Sequence, residues 1–252
     1  AIRLQTWLDD LETKHSLIVY RTDAADTAWS RRCLRQADRV LIVADATGSP
    51  APRGVEAALL GPTNAITHCS RQLVLLHPER GALPERTMDW LAPRSVERHF
   101  HVHPGDQRDF GRLARLLTGR GIGLVLGGGG ARGYAHVGVI KALEEAGVPI
   151  DLVGGTSMGA VVAAAHALGL DYGAFIAKTT ALLKKYRPFK EYTLPIVSLL
   201  RSTRLDRFLH EAYGDAHIED LKVTFFAVSS NLSTAEVAVH DTGELWAAVR
   251  AS

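Results

Sequence analysis

Two glycine-rich stretches near the middle of the sequence carry the residue types best suited to chemistry. Residues 127–132 read GGGGAR and residues 155–159 read GTSMG, and each stretch follows a short apolar run. A glycine turn between a strand and a helix serves one of two purposes. It holds the phosphates of a nucleotide, or it presents a catalytic serine together with the hole for its oxyanion.

The first stretch satisfies the dinucleotide-binding pattern G-x-G-x-x-G when it is read from Gly128. That pattern also requires an acidic residue at the end of the following strand, where it holds a ribose hydroxyl. Asp151 instead begins that strand, and the turn lacks the Lys-Ser/Thr pair of a phosphate-binding P-loop. A dinucleotide-binding oxidoreductase therefore remains the weaker alternative.

The second stretch is a G-x-S-x-G pentapeptide, which is typical of a sharp elbow between a strand and a helix. Gly155 and Gly159 would allow close backbone approach on either side of Ser157. The free N–H groups and the positive dipole end of the following helix would favour negative charge on the serine oxygen. Ser157 is therefore the predicted nucleophile.

The two stretches together are more specific than either one. Adjacent parallel strands bring their carboxyl ends side by side, so the first turn would lie next to Ser157. The N–H groups of Gly128, Gly129 and Gly130 would then face the developing oxyanion, where each donor contributes about 3–4 kcal/mol to acyl transfer. Arg132 would anchor this loop or bind an anionic head group.

The elements around the two turns alternate between strand-like and helix-like patterns. Continuous apolar runs predict buried strands, which favours a mostly parallel sheet covered by helices. The predicted strands are 16–22, 39–46, 72–77, 97–103, 122–126, 151–154, a strand beginning near Lys222, and 235–241, the last two forming a hairpin-like pair at one edge. The predicted helices include one capped by Asp106, and helices over 134–146 and 158–168. The glycines at 119–123 suggest a boundary between domains 1–118 and 119–252.

Composition excludes several classes of protein. A formal net charge of +2 over 252 residues gives no reason to expect a nucleic-acid partner. Two cysteines imply no disulfide framework, and no apolar run approaches the about 18 residues that span a bilayer. We expect an intracellular protein, either cytoplasmic or peripherally bound to a membrane. Because the sequence starts without Met and stops without a tail, we also expect it to be part of a longer chain.

The residues around both turns resemble those of the patatin-like phospholipases. The stretch GGGGARGYAHVGVIKALEE and the following DLVGGTSMGA match that family's oxyanion loop and serine elbow, and the resemblance extends over residues 121–252. The preceding half resembles what precedes the patatin domain in the bacterial and neuropathy-target-esterase branch. The family implies a three-layer α/β/α fold with a mostly parallel sheet, here preceded by an α/β subdomain of structural or regulatory role.

The resemblance also implies a mechanism. It assigns Ser157 as the nucleophile of a Ser-Asp dyad, with Gly128, Gly129, Gly130 and Arg132 as the oxyanion loop. The Asp of the family stands in a D-G-[GA] motif that follows the equivalent of Ser252, so this chain alone is expected to be inactive. Expected partners are a phospholipid or lysophospholipid, a membrane surface and upstream cyclic-nucleotide-binding-like domains. No metal or cofactor is expected. A non-catalytic module that binds lipid or a partner is the other alternative.

Four further groups of residues call for an interpretation. Asp220 and His240 follow the serine in the order of a catalytic triad, but neither has a special context. The stretch HFHVH at 99–103 places three histidines on one strand face, which we expect to be exposed rather than a metal site. Residues 181–200 mix basic, aromatic and apolar side chains, which is typical of a lid or a lipid contact. His136 and His166 are expected to be packing residues of helices.

Overall fold

A computed structural model describes residues 2–61, 69–78, 83–186 and 203–252. In this part of the chain helices and strands alternate through most of the sequence. The helices are α1 (Ile2–Lys14), α2 (Ala28–Gln36), α3 (Gly54–Leu59), α4 (Thr87–Leu91), α5 (Gln107–Leu117), α6 (Ala135–Glu145), α7 (Met158–Ala167), α8 (Tyr172–Tyr186), α9 (Thr203–Tyr213) and α10 (Leu245–Ala251). The strands are β1 (Arg39–Asp45), β2 (Ser70–Leu76), β3 (Arg98–Val102), β4 (Gly123–Leu126), β5 (Leu152–Gly155), β6 (Thr224–Asn231) and β7 (Glu236–His240). Short 3₁₀ turns cover Gly130–Tyr134 and Ile218–Asp220.

The strands form two sheets. The first has the order β1-β2-β3. Backbone hydrogen bonds join Glu97 to Arg71 at the start of β2 and β3, and His77 to Val102 at their ends, so these two strands run parallel.

The second sheet positions the two glycine turns. Its order is β4-β5-β6-β7, with β4, β5 and β6 parallel and β7 antiparallel at the edge. The register pairs Leu126 at the end of β4 with Gly155 at the end of β5. The turns that follow these two strands therefore begin side by side, which is the arrangement that the parallel-sheet prediction requires.

Helix α7 lies at the centre of the larger hydrophobic core. Seven of its ten residues are buried, and all seven are alanine, glycine or valine. Small side chains let a helix approach neighbouring elements closely, and a helix buried on most sides shows no strong polar face. Its core neighbours include Val153 of β5 and Phe225 of β6. The helix that carries the serine elbow is thus packed against the core on most sides.

The described residues divide into two compact units. The first comprises Ala1–Ala44, Gly48–Val74 and Asp89–His99, and the second comprises Asp45–Thr47, Leu75–Met88 and Phe100–Ser252. The first unit has a small core around Leu34, Val40 and Leu59. The α/β class with mostly parallel strands is confirmed, as is the antiparallel edge pair.

One predicted strand is wrong. Residues 16–22 are rich in strand-forming side chains, yet the structure has no strand there. Leu17 and Val19 are 65% and 83% exposed. Strand propensity reflects how side chains pack on a pleated sheet. A segment rich in strand-forming residues therefore forms no strand when no neighbouring strand pairs with it.

Candidate active site

Ser157 lies in the turn between β5 and α7, at the N-cap position of the helix. Its backbone has φ 52° and ψ −123°, a conformation that residues with a side chain rarely adopt. The side chain is exposed. A strained backbone of this kind at a strand-to-helix turn exposes the serine hydroxyl to solvent and places it at the amino end of the helix.

The flanking glycines are required by close packing of backbone on backbone. A Cβ added to Gly159 would lie 2.1 Å from the carbonyl oxygen of Leu126. One added to Gly155 would lie 2.6 Å from that same oxygen. No side chain fits at either position, so β4, β5 and the first turn of α7 can approach this closely only through glycine.

The first turn runs beside the serine. A methyl group in place of a Gly128 hydrogen would lie 3.4 Å from Cβ of Ser157. Gly130 has φ 56° and open space around it, and Arg132 is exposed. Within the described residues, the N–H groups of Gly128, Gly129 and Gly130 donate to no acceptor. The structure therefore places three consecutive unpaired donors in the loop next to an exposed serine hydroxyl.

A hydrogen bond that cannot be predicted from the sequence restrains the elbow. The N–H of Ser157 donates to Oγ of Ser252 over 2.8 Å, and that hydroxyl donates in turn to the carbonyl of Val228 over 2.7 Å. Ser252 thus links the serine turn to β6. The N–H of Ser157 is therefore already engaged by a side chain of the described residues.

No general base contacts the serine within the part of the chain that the structure describes. Oγ of Ser157 has no hydrogen bond to any of these residues. Asp220 accepts a hydrogen bond from the N–H of Thr87, and His240 is bonded to Ser229, so the structure engages both elsewhere. A Ser-His-Asp triad built from these residues receives no support.

The acidic residue nearest to a dinucleotide pattern has a structural partner. Asp151 is 1% exposed and accepts two hydrogen bonds from the guanidinium of Arg115, at 2.6 and 2.9 Å. Burial raises the pKa of Asp151, but the bonds from Arg115 and from the N–H of Ile122 lower it by more, so the net pKa is below its usual value. This carboxylate ties α5 to the start of β5 and is not free for a ribose.

The histidine face was expected to be exposed, and for its central member that expectation is wrong. His101 is 3% exposed. Its Nε2 is 2.8 Å from the carbonyl of Glu219, which can only accept, and its Nδ1 is 2.8 Å from Nε2 of His77. Burial lowers the pKa of His77. In the described ranges no group of three or more His, Cys, Asp or Glu side chains could hold a metal ion.

The basic segment at 181–200 is described only in part, since residues 187–200 lie outside the described residues. Residues 181–186 form the end of α8. Lys185 pairs there with Glu211 of α9, whereas Lys184 is exposed. Among the helices that the structure describes, none is long and apolar enough to cross a membrane.

Two family models match the chain. Residues 124–252, which contain both glycine turns, match the model described as patatin-like phospholipase. The chain belongs to the patatin-like phospholipase family. Residues 1–105 match a model described as the neuropathy target esterase family P-loop like domain. The sequence analysis predicts an α/β subdomain before the patatin domain but does not predict a match to this second model.

Individual patatin-like proteins are similar over nearly the whole chain. Patatin-like phospholipase domain-containing protein 6 of Homo sapiens is 39% identical over 99% of this chain and 20% of its own length. Patatin-like phospholipase domain-containing protein 7 of Mus musculus is 37% identical over 99% and 20%. Neuropathy target esterase sws of Drosophila ananassae is 35% identical over 99% and 18%. The predicted relationship to this branch is confirmed, and the chain spans about a fifth of these relatives' length.

Proposed function

We propose that this chain is the nucleophile-bearing part of a serine hydrolase that cleaves the acyl ester of a phospholipid or lysophospholipid. The observation that carries the proposal is the pairing of an exposed, strained Ser157 with the unpaired amides of Gly128, Gly129 and Gly130. Family membership supports a lipid hydrolase at the level of the family.

The reaction passes through a covalent acyl-serine. Oγ of Ser157 attacks the ester carbonyl carbon while its proton passes to a base. The displaced electron pair moves to the carbonyl oxygen, where the loop amides and the amino end of α7 stabilise the charge. Collapse of this intermediate expels the lipid alcohol, which takes the proton from the base. Water then hydrolyses the acyl-serine by the reverse sequence.

The base is proposed to be an aspartate that follows Ser252 in a D-G-[GA] motif, forming a Ser-Asp dyad. A serine hydroxyl without a base is a weak nucleophile near neutral pH. The missing hydrogen-bond partner of Ser157 Oγ among the described residues fits a base supplied by a later segment. The 252-residue chain alone should therefore show no turnover. A longer gene-encoded sequence that lacks such a motif would rule out the dyad.

The substrate class suggests contact with a lipid surface. The exposed Arg132 lies in the loop beside Ser157, where a guanidinium can bind the phosphate of a lipid head group. We further propose peripheral membrane binding through residues 181–200. Replacing Lys184 and Lys185 by Glu should weaken binding to anionic liposomes, and unchanged binding would remove this contact. Because Lys185 also pairs with Glu211, Lys184→Glu alone is the cleaner variant.

The decisive experiment measures fatty acid release from lysophosphatidylcholine by an extended chain, defined as residues 1–252 followed by the residues encoded after Ser252. Ser157→Ala should reduce turnover at least about 10³-fold. Ser233→Ala, at an exposed turn, is the matched control and should not change it. Turnover retained by Ser157→Ala would overturn the assignment of the nucleophile. No turnover by the folded extended chain on several esters would favour the non-catalytic lipid- or partner-binding alternative.

A further inference from the structure

His136, the second residue of α6, makes a contact that helix packing does not require. Its Nε2 lies 2.8 Å from the backbone carbonyl oxygen of Gly127, the first residue of the glycine loop. A carbonyl oxygen only accepts hydrogen bonds, so Nε2 of His136 carries the proton and donates it. The ring is half-buried at the start of the helix.

The bond fixes the direction of an amide in the loop. The carbonyl of Gly127 and the N–H of Gly128 belong to one planar trans peptide, so they point in opposite directions. A hydrogen bond that holds the carbonyl therefore also sets where the Gly128 N–H points. Gly128 is the loop residue whose position next to Cβ of Ser157 is given by the packing.

Little else restrains this peptide. Gly127 has no heavy atom within 4 Å of where a Cβ would stand, and both residues are exposed glycines that tolerate many backbone conformations. Gly159 approaches the same carbonyl oxygen from α7, since a Cβ there would lie 2.7 Å from it, but it offers no side-chain donor. His136 is the side chain that holds the Gly127 carbonyl by a hydrogen bond.

We propose that His136 is a positioning residue of the oxyanion hole, which orients the Gly128 N–H toward the oxyanion through the Gly127 carbonyl. The inference rests on the proposed serine hydrolase function and deepens it. His136 does not touch the substrate and transfers no proton. It keeps one donor aligned before the reaction, and an aligned donor acts only where charge develops in the transition state.

The role predicts a particular kinetic signature. Loss of alignment weakens an interaction that is present in the transition state and absent from the bound substrate, so kcat should fall while KM stays nearly constant. A purely structural role would instead lower thermal stability and the amount of folded enzyme. Any residual kcat per folded active site would then be normal.

The test uses the extended chain and four variants with lysophosphatidylcholine as the substrate. His136→Leu removes the donor and keeps an apolar side chain of similar reach, whereas His136→Gln keeps an N–H donor. His166→Leu makes the same chemical change in α7, where His166 lies 3.7 Å from Glu144 and away from the loop. Ser157→Ala defines the background. Active sites are counted by covalent labelling with an alkyl fluorophosphonate, which forms a tetrahedral adduct on the serine.

We expect His136→Leu to lower kcat per labelled site by about 10- to 100-fold with KM within threefold, below the about 10²–10³-fold effect of deleting an oxyanion donor. The rate of fluorophosphonate labelling should fall in parallel. His136→Gln should recover most of both, and His166→Leu should match the unchanged chain. If His136→Leu keeps its kcat, or if only KM changes, the inference is wrong. It is also wrong if His136→Gln folds but recovers nothing.

Failure of the inference and failure of the proposed function give different results. If the unchanged extended chain turns over no faster than Ser157→Ala, the serine hydrolase itself is wrong and the inference falls with it. If Ser157→Ala turns over much more slowly than the unchanged chain but His136→Leu has the same kcat as the unchanged chain, only the role of His136 is overturned. If His136→Leu does not fold, His136→Met, which also lacks a donor, takes its place, and an unchanged labelling rate per folded site would overturn the role of His136.

Discussion

The two glycine turns use the same residue for opposite reasons. In the first turn, no heavy atom lies within 4 Å of where a Cβ of Gly127 or Gly130 would stand, and Gly130 has a positive φ of 56°. In the second turn Gly155 and Gly159 are pressed against backbone atoms at distances no Cβ could tolerate. The first turn uses glycine to leave amides unobstructed and adaptable, and the second uses it to bring three elements into contact.

The difference shows how a loop with open space at its glycines and a tightly packed elbow can share one site. The serine elbow is overdetermined by packing, so it can hold Ser157 in a strained conformation. In the loop, the carbonyl of Gly127 is instead held by a side-chain hydrogen bond from His136. A substitution of the tightly packed Gly155 or Gly159 should therefore act first on stability, whereas one of His136 should act first on catalysis.

The largest effect should come from Gly159→Ala. The added methyl would lie 2.1 Å from the Leu126 carbonyl oxygen, so β4 and α7 would have to separate. We expect the free energy of unfolding to fall by at least about 3 kcal/mol, measured by urea denaturation.

The matched control is Gly138→Ala in the exposed interior of α6, where nothing lies within 4 Å. It should raise the free energy of unfolding by about 0.5–1 kcal/mol. Equal changes in the free energy of unfolding for the two substitutions would show that close packing does not require glycine at position 159.

The start of β5, opposite the elbow, should show the second largest effect. Arg115→Met leaves the buried Asp151 carboxylate without its ion-pair partner and should destabilise the chain by about 3 kcal/mol at neutral pH. Because the folded-state pKa of Asp151 is depressed, its stabilising contribution is present above the unfolded pKa of about 4. It is lost as the pH falls through the folded-state pKa. The difference between the two chains should therefore shrink in acid, measured as urea midpoints from pH 7 to pH 3.

Lys141→Met tests the same change at an exposed pair. Lys141 and Glu145 are 3.7 Å apart and more than half exposed, so the loss should stay below about 0.5 kcal/mol. A gap between the Arg115→Met and unchanged chains that is constant with pH would contradict an ionised, buried Asp151.

The smallest effects are expected at Gly130 and Ser157, which both have a positive φ, and the two changes in the free energy of unfolding should have opposite signs. Gly130→Ala places a Cβ at φ 56° and should lower the free energy of unfolding by about 1 kcal/mol. Ser157→Gly removes the strain at φ 52° and should raise it by about 1 kcal/mol while abolishing turnover. Thermal unfolding of both variants provides the measurement. Destabilisation by Ser157→Gly would mean that the elbow is not strained.

Local signals in the sequence predicted several elements well. Asp106 was expected to cap a helix, and its side chain accepts the N–H of Arg108 at the start of α5. The strands β1 and β2 were likewise predicted from a local signal, their continuous runs of apolar residues. The strand predicted at 16–22 is wrong because a strand also needs a neighbouring strand to pair with. The exposure predicted for His101 is wrong because its ring contacts the carbonyl of Glu219, which lies far away in the sequence.

The glycine spacing, the serine between two glycines and the apolar runs before them are properties of the sequence alone. They determined the α/β class, the family and the residue proposed as nucleophile, because short-range sterics and hydrogen bonding act between residues close in the chain. Only the tertiary structure decided that Ser252 holds the Ser157 amide and that His136 holds the Gly127 carbonyl. These bonds depend on how strands pair and where helices pack, so they could not be predicted from the sequence.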